Sequence, residues 1–256
     1  MYQVISYIKF LFKATNQHGV HSPFMYDFVT KCLYDKKRYD AYEKLKNYRF
    51  ELKNSTTTLQ VTDLGEGSKV LHSKVRRVRK MIKASSSSKK ESRILFRIVN
   101  YFNIKSVLEL GTSLGMGTYA LALAKKNSKI ITIEGCPNTS NFSKAQFEAL
   151  DIKNTTFITG DFTIIIPRLK DKTYDLVFFD GHHNKAATIK YFESLLPKAH
   201  NETIFIFDDI YWSKGMTKAW EYIKTHNDVT VTLDCFHLGF VFFRKEQAKE
   251  HFRIRL

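Results

Sequence analysis

Residues 107–118 constrain the fold of this chain more than any other stretch. They read Val-Leu-Glu-Leu-Gly-Thr-Ser-Leu-Gly-Met-Gly-Thr, and a helix-like run of alanines and leucines follows from Tyr119. This order predicts a strand, a tight turn and then a helix. Gly111, Gly115 and Gly117 permit positive φ angles and close approach of a ligand, while the start of a helix offers unpaired N–H groups. We therefore expect a small polar ligand at this turn.

An acidic residue after the next apolar run supports a nucleotide-like cofactor at the turn. The glycine spacing, Gly-x-x-x-Gly-x-Gly, departs from the Gly-x-Gly-x-x-Gly pattern of nicotinamide enzymes, so that cofactor is disfavoured. Glu134, followed by Gly135, closes the next apolar run, where a doubly wound sheet holds the acid that binds a ribose. A purely structural glycine turn remains the alternative.

The later part of the chain alternates short apolar runs with segments of helical length. These runs are rich in Val, Ile and Phe and have the length of buried parallel strands. Two closing runs, 229–233 and 238–243, leave no room for a helix between them and predict an antiparallel hairpin. The pattern predicts an α/β fold, a doubly wound sheet of seven strands whose last strand is antiparallel. The five parallel strands are expected at 106–110, 129–133, 155–159, 174–179 and 203–207.

The composition of the chain changes near residue 90. Residues 1–90 are polar, basic and helix-like, and residues 91–256 carry the α/β pattern, so we predict an N-terminal extension and a larger second domain. Residues 1–12 are apolar but too short for a membrane span and lack the features of a signal peptide, which predicts a docking helix. No transmembrane segment is expected. A cytoplasmic location is favoured because three cysteines lie far apart and suggest no disulfide framework: Cys32, Cys136 and Cys235.

The positive charge of the chain is concentrated in one stretch. Residues 31–97 hold nineteen Lys and Arg against seven Asp and Glu, a surplus of 12 out of a net charge of +16. Within it, residues 74–83 place Val75, Val78 and Ile82 on one face of a predicted basic amphipathic helix. Such a helix contacts nucleic acid, anionic lipid or an acidic substrate, or is only a solvated helix on a basic protein. The residues that would contact a polyanion are Arg76, Arg77, Arg79 and Lys80.

Acidic residues follow each of the five predicted parallel strands. Ligands of doubly wound sheets bind at this edge, although Asp at such a turn also caps the following helix. The adjacent pair Asp208-Asp209 is harder to explain by capping alone, and it faces Asp180 and His183 from the neighbouring strand end. Close carboxylates repel one another unless a cation neutralises them, which predicts a Mg²⁺-type site, with capping or hydrogen bonding as the alternative. The acids are Glu109, Glu134, Asp161, Asp180, Asp208 and Asp209.

The order of the glycine turn and of the acidic motifs along the chain resembles that of class I S-adenosylmethionine-dependent methyltransferases, which share a Rossmann-like sheet. The resemblance is closest to catechol-type and metal-dependent sugar O-methyltransferases, in which Asp-Gly-x-His ends the fourth strand and two adjacent acids end the fifth. Asp-Asp stands here where catechol-type enzymes have Asp-Asn, so the sugar enzymes are the closer comparison. Residues 18–24 also resemble uncharacterised bacterial methyltransferases of the Bacteroides group. The resemblance covers roughly residues 90–245 and rests on Glu109-Leu-Gly-Thr-Ser-Leu-Gly-Met-Gly, Ile133-Glu-Gly, Gly160-Asp-Phe, Asp180-Gly-His-His and Asp208-Asp-Ile-Tyr-Trp-Ser.

The resemblance implies a role for each motif. A divalent metal would be held by Asp180, Asp208 and Asp209, and His183 would be the general base, with Asp180 also next to the cofactor. Glu134 and Gly135 would bind the ribose of S-adenosylmethionine. The adenine would contact Asp161 and Phe162, and the methionine end would be surrounded by Glu109, Gly111, Thr112, Ser113 and Gly115.

The implied function is metal-assisted O-methylation of a small hydroxylated acceptor. The metal would lower the pKa of the bound hydroxyl, and a neutral imidazole would take its proton. His182 competes with His183 for this role, and Tyr211 and Trp212 either wall an acceptor pocket or belong to the core. Residues 18–24 are either a lid or a helix-stopping turn. A metal-independent methyltransferase of nucleic acid, a non-catalytic cofactor-binding interaction protein and homodimer formation stay open.

Overall fold

The computed structural model describes residues 1–62, 73–84, 87–170 and 173–256. The helices in these ranges are α1 (Tyr2–Lys13), α2 (Pro23–Asp27), α3 (Asp40–Asn54), α4 (Val78–Ala84), α5 (Lys89–Tyr101), α6 (Met116–Ala124), α7 (Pro137–Ala149), α8 (Phe162–Ile165), α9 (Lys185–Leu195) and α10 (Lys214–Thr225). The strands are β1 (Thr58–Gln60), β2 (Val75–Arg77), β3 (Ser106–Leu110), β4 (Lys129–Glu134), β5 (Thr155–Thr159), β6 (Leu176–Phe179), β7 (Ile204–Asp208), β8 (Val231–Asp234), β9 (Leu238–Phe242) and β10 (Glu250–Arg253).

The chain divides into two compact units. The central unit is continuous and comprises Lys36–Ile165, whereas the split unit comprises Met1–Asp35 together with Ile166–Leu256. This division differs from the predicted boundary near residue 90. The difference arises because the first 35 residues pack with the C-terminal part of the chain.

Hydrogen bonds join residues near both ends of the chain within the split unit. Thr15 forms an isolated parallel bridge with Ile254, and the N–H of Thr15 donates to the carbonyl oxygen of Arg253 at 2.9 Å. The hydroxyl of Tyr34 donates to the carbonyl oxygen of Arg255 at 2.7 Å. These bonds satisfy backbone groups that α1 and β10 would otherwise leave unpaired.

The central unit contains three parallel strands in the order β3-β4-β5. α5, which precedes β3, starts with a capping box. The Ser88 hydroxyl accepts the N–H of Glu91 at 3.2 Å, and the Glu91 carboxylate accepts the N–H of Ser88 at 2.5 Å. The buried residues of α5 follow the helical period, with Ile94, Leu95 and Ile98 among them. The capping box thus fixes where α5 begins, and the chain leads from this helix into β3.

The split unit contains five strands in the order β10-β8-β9-β7-β6. β6 and β7 are parallel, and β9 is inserted antiparallel between β7 and β8. The predicted hairpin, formed by β8 and β9, is therefore confirmed. β10, which pairs in parallel with β8, adds a strand to the seven that the sequence predicts. Its sequence, Glu-His-Phe-Arg, has one apolar residue and so gives no strand signal.

The predicted fold class is confirmed. The described residues form a mixed α/β structure. Three of its main strands lie in the central unit and five in the split unit, and β1 and β2 form a separate antiparallel pair. The main strands pair mostly in parallel, and the antiparallel pairings of the split unit involve β9. The described helices are not long and apolar enough for any of them to cross a membrane.

The predicted basic amphipathic helix over 74–83 is wrong in its first half. Residues 75–77 form β2, in which Val75 and Arg77 are exposed and Arg76 is buried. Arg76 donates from Nε to the carbonyl oxygen of Ser73 at 2.9 Å. The alternation of a strand therefore replaces the helical period, and Val75 does not share a face with Val78. Arg77, Arg79 and Lys80 remain at the surface, whereas Arg76 is not available to a polyanion.

Residues 18–24 start a helix where the sequence analysis considered a helix-stopping turn. The Ser22 hydroxyl accepts the N–H of Met25 at 3.3 Å, and Pro23 occupies the first position of α2. Phe24 packs edge-on against Phe242, with 5.1 Å between the ring centroids. The segment is thus part of the packed split unit.

Candidate functional site

The glycine turn of the central unit connects β3 to α6 through left-handed backbone. Gly111 has φ 106°, Ser113 φ 48° and Gly115 φ 75°. A Cβ on Gly115 would lie 2.8 Å from Cε2 of Phe147, so both its φ angle and its neighbours require glycine. Gly117, for which positive φ was also expected, lies within α6. Gly115 is the N-cap of α6 and has no side chain that could accept a hydrogen bond. The first backbone N–H groups of α6 therefore receive no side-chain cap.

Glu134 fixes the backbone of this turn. At the end of β4, its Oε2 accepts the N–H of Ser113 at 2.9 Å and its Oε1 accepts the N–H of Cys136 at 2.9 Å. Ser143 of α7 donates to the carbonyl oxygen of Ser113 at 2.6 Å. Glu134 and the following Gly135 are both half-buried. The predicted acid therefore lies directly at the glycine turn.

Glu109 lies behind the turn and is completely buried. Its Oε2 accepts hydrogen bonds from the hydroxyls of Thr118 and Thr132, the second at 2.6 Å, and Thr132 also contacts Thr112 at 2.5 Å between hydroxyl oxygens. Burial raises the pKa of Glu109 to about 7; the two threonine hydrogen bonds oppose this, and the charge of Glu134 adds to it. Glu109 and Thr112 thus connect β3, β4 and α6, instead of presenting their side chains to a ligand.

Asp161 and Phe162, the predicted adenine contacts, lie at the start of α8. Asp161 Oδ1 accepts the N–H of Thr163 at 2.7 Å and its hydroxyl at 2.5 Å, and Phe162 is buried. Gly160, just before them, has φ 154°. Asp161 therefore caps a helix, which is the structural alternative for acids at this edge.

The split unit brings Asp180 and His183 together. β6 and β7 pair in parallel with Phe179 opposite Phe207, so Asp180 follows β6 at the level where Asp208 ends β7. His183 Nε2 lies 4.0 Å from Asp180 Oδ1, and both side chains are partly exposed, at 26% and 18%. Such a carboxylate neighbour stabilises an imidazolium.

The neighbouring histidine, His182, is held elsewhere. It has φ 66°, and its Nδ1 lies 2.8 Å from the hydroxyl of Tyr191 on α9. Trp212 lies near the other histidine, with 6.1 Å between its ring and that of His183. His183 thus lies beside a carboxylate and near the ring of Trp212, and His182 lies beside Tyr191.

The metal site predicted at Asp180, Asp208 and Asp209 stays a prediction. Among the described residues, no group of three or more His, Cys, Asp or Glu side chains is placed to hold a metal ion. Asp208 is the last residue of β7, whereas Asp209 has φ 53°.

Several residues that hold these features were missed by the sequence analysis. Tyr48 of α3 donates from its buried hydroxyl to the carbonyl oxygen of Leu114 in the glycine turn at 2.7 Å. Thr118 and Thr132 hold Glu109, and a polar residue within an otherwise apolar strand was the signal for Thr132. Tyr211 donates to Asp234 Oδ2 at 2.6 Å and stacks on Phe236, so it belongs to the packed core near α1.

Solved methyltransferase structures share this fold. The S-adenosylhomocysteine-bound methyltransferase PaMTH1 of Podospora anserina matches with a TM-score of 0.62 and 14% identity, over 88% of this chain and 98% of that chain. The O-methyltransferase TomG of Streptomyces achromogenes, solved with S-adenosylmethionine, matches with a TM-score of 0.58 and 16% identity, over 81% and 91%. Residues 108–210 also match the profile of a protein family described as a methyltransferase domain. By its fold and by the match over residues 108–210, this chain is similar to methyltransferases.

Two curated relatives match parts of this chain. A catechol O-methyltransferase of Niastella koreensis is 26% identical over 132 residues, 50% of this chain and 59% of that protein. A relative from Mycobacterium sp. (strain JLS) is 34% identical over 80 residues, 30% of this chain and 36% of that protein. The chain thus spans less than two thirds of either relative. The region matched by the family profile includes the glycine turn, Glu134, Asp180 and His183.

Proposed function

We propose that the methyltransferase domain binds S-adenosylmethionine and transfers its methyl group to a hydroxyl of a small acceptor. The observation that carries the proposal is the carboxylate of Glu134, which is fixed at the glycine turn by the N–H groups of Ser113 and Cys136. A carboxylate oxygen can accept more than one hydrogen bond, so a carboxylate that holds the turn can also accept from ribose hydroxyls. The chemistry of this site fits the cofactor that two structural neighbours contain.

The chain's own contribution to the transfer is proton removal and charge stabilisation. When bound, S-adenosylmethionine supplies an electrophilic methyl group on a sulfonium sulfur. His183 takes the proton of the acceptor hydroxyl while the bond from that oxygen to the methyl carbon forms and the methyl–sulfur bond breaks. Asp180, 4.0 Å from His183 Nε2, stabilises the imidazolium that results. In this proposed route the activation of the acceptor rests on His183 and Asp180.

Cofactor binding is tested by titrating the protein with S-adenosylhomocysteine in a calorimeter. Glu134→Ala is expected to weaken binding by about 10- to 100-fold, since a hydrogen bond to a charged group contributes about 1.5–3 kcal/mol. Glu148→Ala, an exposed glutamate on α7, is the matched control and is expected to bind like the native protein. Because Glu134 also holds Ser113, the thermal midpoint of each variant is recorded as well. Absence of binding by the native protein would contradict the proposal.

The base is tested with radiolabelled S-adenosylmethionine and catechol as the first acceptor, after the name of the Niastella koreensis relative. His183→Ala is expected to lower kcat by roughly 100- to 10,000-fold and to leave cofactor affinity unchanged. Raising the pH should recover part of the lost rate, because the acceptor then ionises without a base. His237→Ala, an exposed histidine between β8 and β9, is expected to keep the native rate.

The same assay separates this route from a metal-assisted one. We expect the rate to persist in excess EDTA. Loss of activity in EDTA and its recovery on adding Mg²⁺ would show that the acids rearrange around a cation, and would replace His183 by the metal as the main activator of the acceptor.

A further inference from the structure

The N-terminal helix presents an apolar face to solvent. The face comprises Val4, Ile8 and Phe12, which are spaced four residues apart along the helix. Their exposed fractions are 63%, 50% and 87%. Leu11 at 37% and Ile5 at 46% border them. α1 contains no acidic residue, and its only charged residues are Lys9 and Lys13. Scattered exposed apolar residues are ordinary, but a continuous face of this kind marks an interaction surface.

The opposite side of α1 is anchored, which fixes the direction of the apolar face. Phe10 is buried, with its ring 5.6 Å from that of Phe236. Tyr7 packs edge-on against the same ring at 4.8 Å. At the start of the helix, the hydroxyl of Tyr2 donates to Thr217 Oγ1 at 2.7 Å. Rotation of α1 to bury its apolar face would break all of these contacts.

Positive charge lies beside this helix. A cavity of about 430 Å³ runs along α1, and its lining includes one acid, Glu221, against four cationic side chains. The cations are Lys9, Lys13, Lys214 and Arg253. The whole chain carries a net charge of +16. An apolar helix face flanked by cations has the chemistry of a helix that lies on an anionic lipid surface.

We propose that α1 lies in the interface of an anionic bilayer, with its apolar face at the acyl boundary and with Lys9 and Lys13 on lipid phosphates. The helix does not span the membrane, because its 12 residues are about 18 Å long and the hydrocarbon core is about 30 Å thick. A second copy of the chain fits less well. Two chains of net charge +16 repel each other, and one face of a helix this short offers far less than the roughly 800 Å² per partner of a stable dimer.

Vesicle co-sedimentation tests the proposal with the full chain. Vesicles of phosphatidylcholine and phosphatidylglycerol in a roughly 2:1 ratio are compared with vesicles of phosphatidylcholine alone. The native protein is expected to bind the anionic vesicles, and Ile8→Ser with Phe12→Ser to weaken that binding by about tenfold or more. Lys9→Glu with Lys13→Glu is expected to weaken it too and to reduce its sensitivity to salt. The matched controls are Ile164→Ser, also 50% exposed, and Lys126→Glu, and both should bind like the native protein.

Two results would overturn the proposal. The first is equal binding of the native protein and the α1 variants, or no preference for anionic vesicles. The second is a dimer in sedimentation equilibrium without lipid that Ile8→Ser with Phe12→Ser dissociates, which would assign the face to a second copy. The substituted side chains are exposed, so unchanged thermal midpoints and S-adenosylhomocysteine binding would show that the variants fold.

Discussion

Glu109 is a carboxyl group that no solvent reaches. It is 0% exposed, and its Oε1 has no hydrogen-bond partner among the described residues, while Oε2 accepts from two threonines. A buried carboxyl with one unsatisfied oxygen favours its protonated form, which is why its pKa rises to about 7. Its protonation therefore connects the stability of the central unit to pH.

The pH dependence of unfolding tests this environment. Below the ordinary pKa of 4.5, the carboxyl is protonated in both the folded and the unfolded chain. As the pH rises from 4.5 to about 7, the unfolded chain loses the proton first, so the free energy of unfolding falls. Relative to Glu109→Gln, the native protein is expected to lose roughly 3 kcal/mol across this range, measured by urea unfolding. Glu148→Gln is the exposed control. A difference between native protein and Glu109→Gln that stays constant with pH would contradict the assignment.

Gly239 lies where α10 packs on β9. β9 passes under Trp220 of α10, and a Cβ on Gly239 would lie 2.8 Å from Cζ3 of that buried ring. Because Gly239 has no side chain, α10 packs directly on β9. The same sheet position pairs with Phe207 of β7 and Asp234 of β8, so the strand cannot move away without breaking its ladder.

Gly239→Ala is expected to destabilise the protein by about 1–3 kcal/mol, because the added methyl group overpacks a rigid ring. Gly215→Ala is the matched control: the nearest atoms to its Cβ, on Lys185 and Ser213, lie at 3.5 Å, so that substitution should be nearly neutral. Thermal unfolding of both variants measures the difference. Equal midpoints would show that Trp220 moves aside at little cost.

The sequence predicts some of these elements well and others poorly, for physical reasons. Buried parallel strands such as β6 and β7 are apolar on both faces, so their position is visible in a single run. β2 and β10 are short edge segments with alternating or sparse apolar residues, and local pattern does not separate them from helix or coil. Arg76 illustrates the error, because its burial depends on contacts that a helical period does not describe.

At the scale of the whole molecule, the position of a candidate site residue was predictable when that residue lies at the end of a strand. The end of β4 had to bring Glu134 near the glycine turn, and the ends of β6 and β7 had to bring Asp180 level with Asp208. Side-chain direction was not predictable from order along the chain. Asp209 and Glu109 are both acidic, as expected of ligand-binding residues. Asp209, however, has left-handed backbone, and the side chain of Glu109 is completely buried.

The split unit has a consequence for synthesis on the ribosome. The central unit is continuous, so it can fold as soon as residue 165 has left the exit tunnel. Met1–Asp35 is made before the central unit, yet its partners lie in Ile166–Leu256, which are made after it. Until Phe236 emerges, Phe10 has no core to enter, and the apolar residues of α1 are exposed on both sides of the helix. A segment translated before the central unit thus folds after it, and a stalled nascent chain would carry this segment as a target for chaperones.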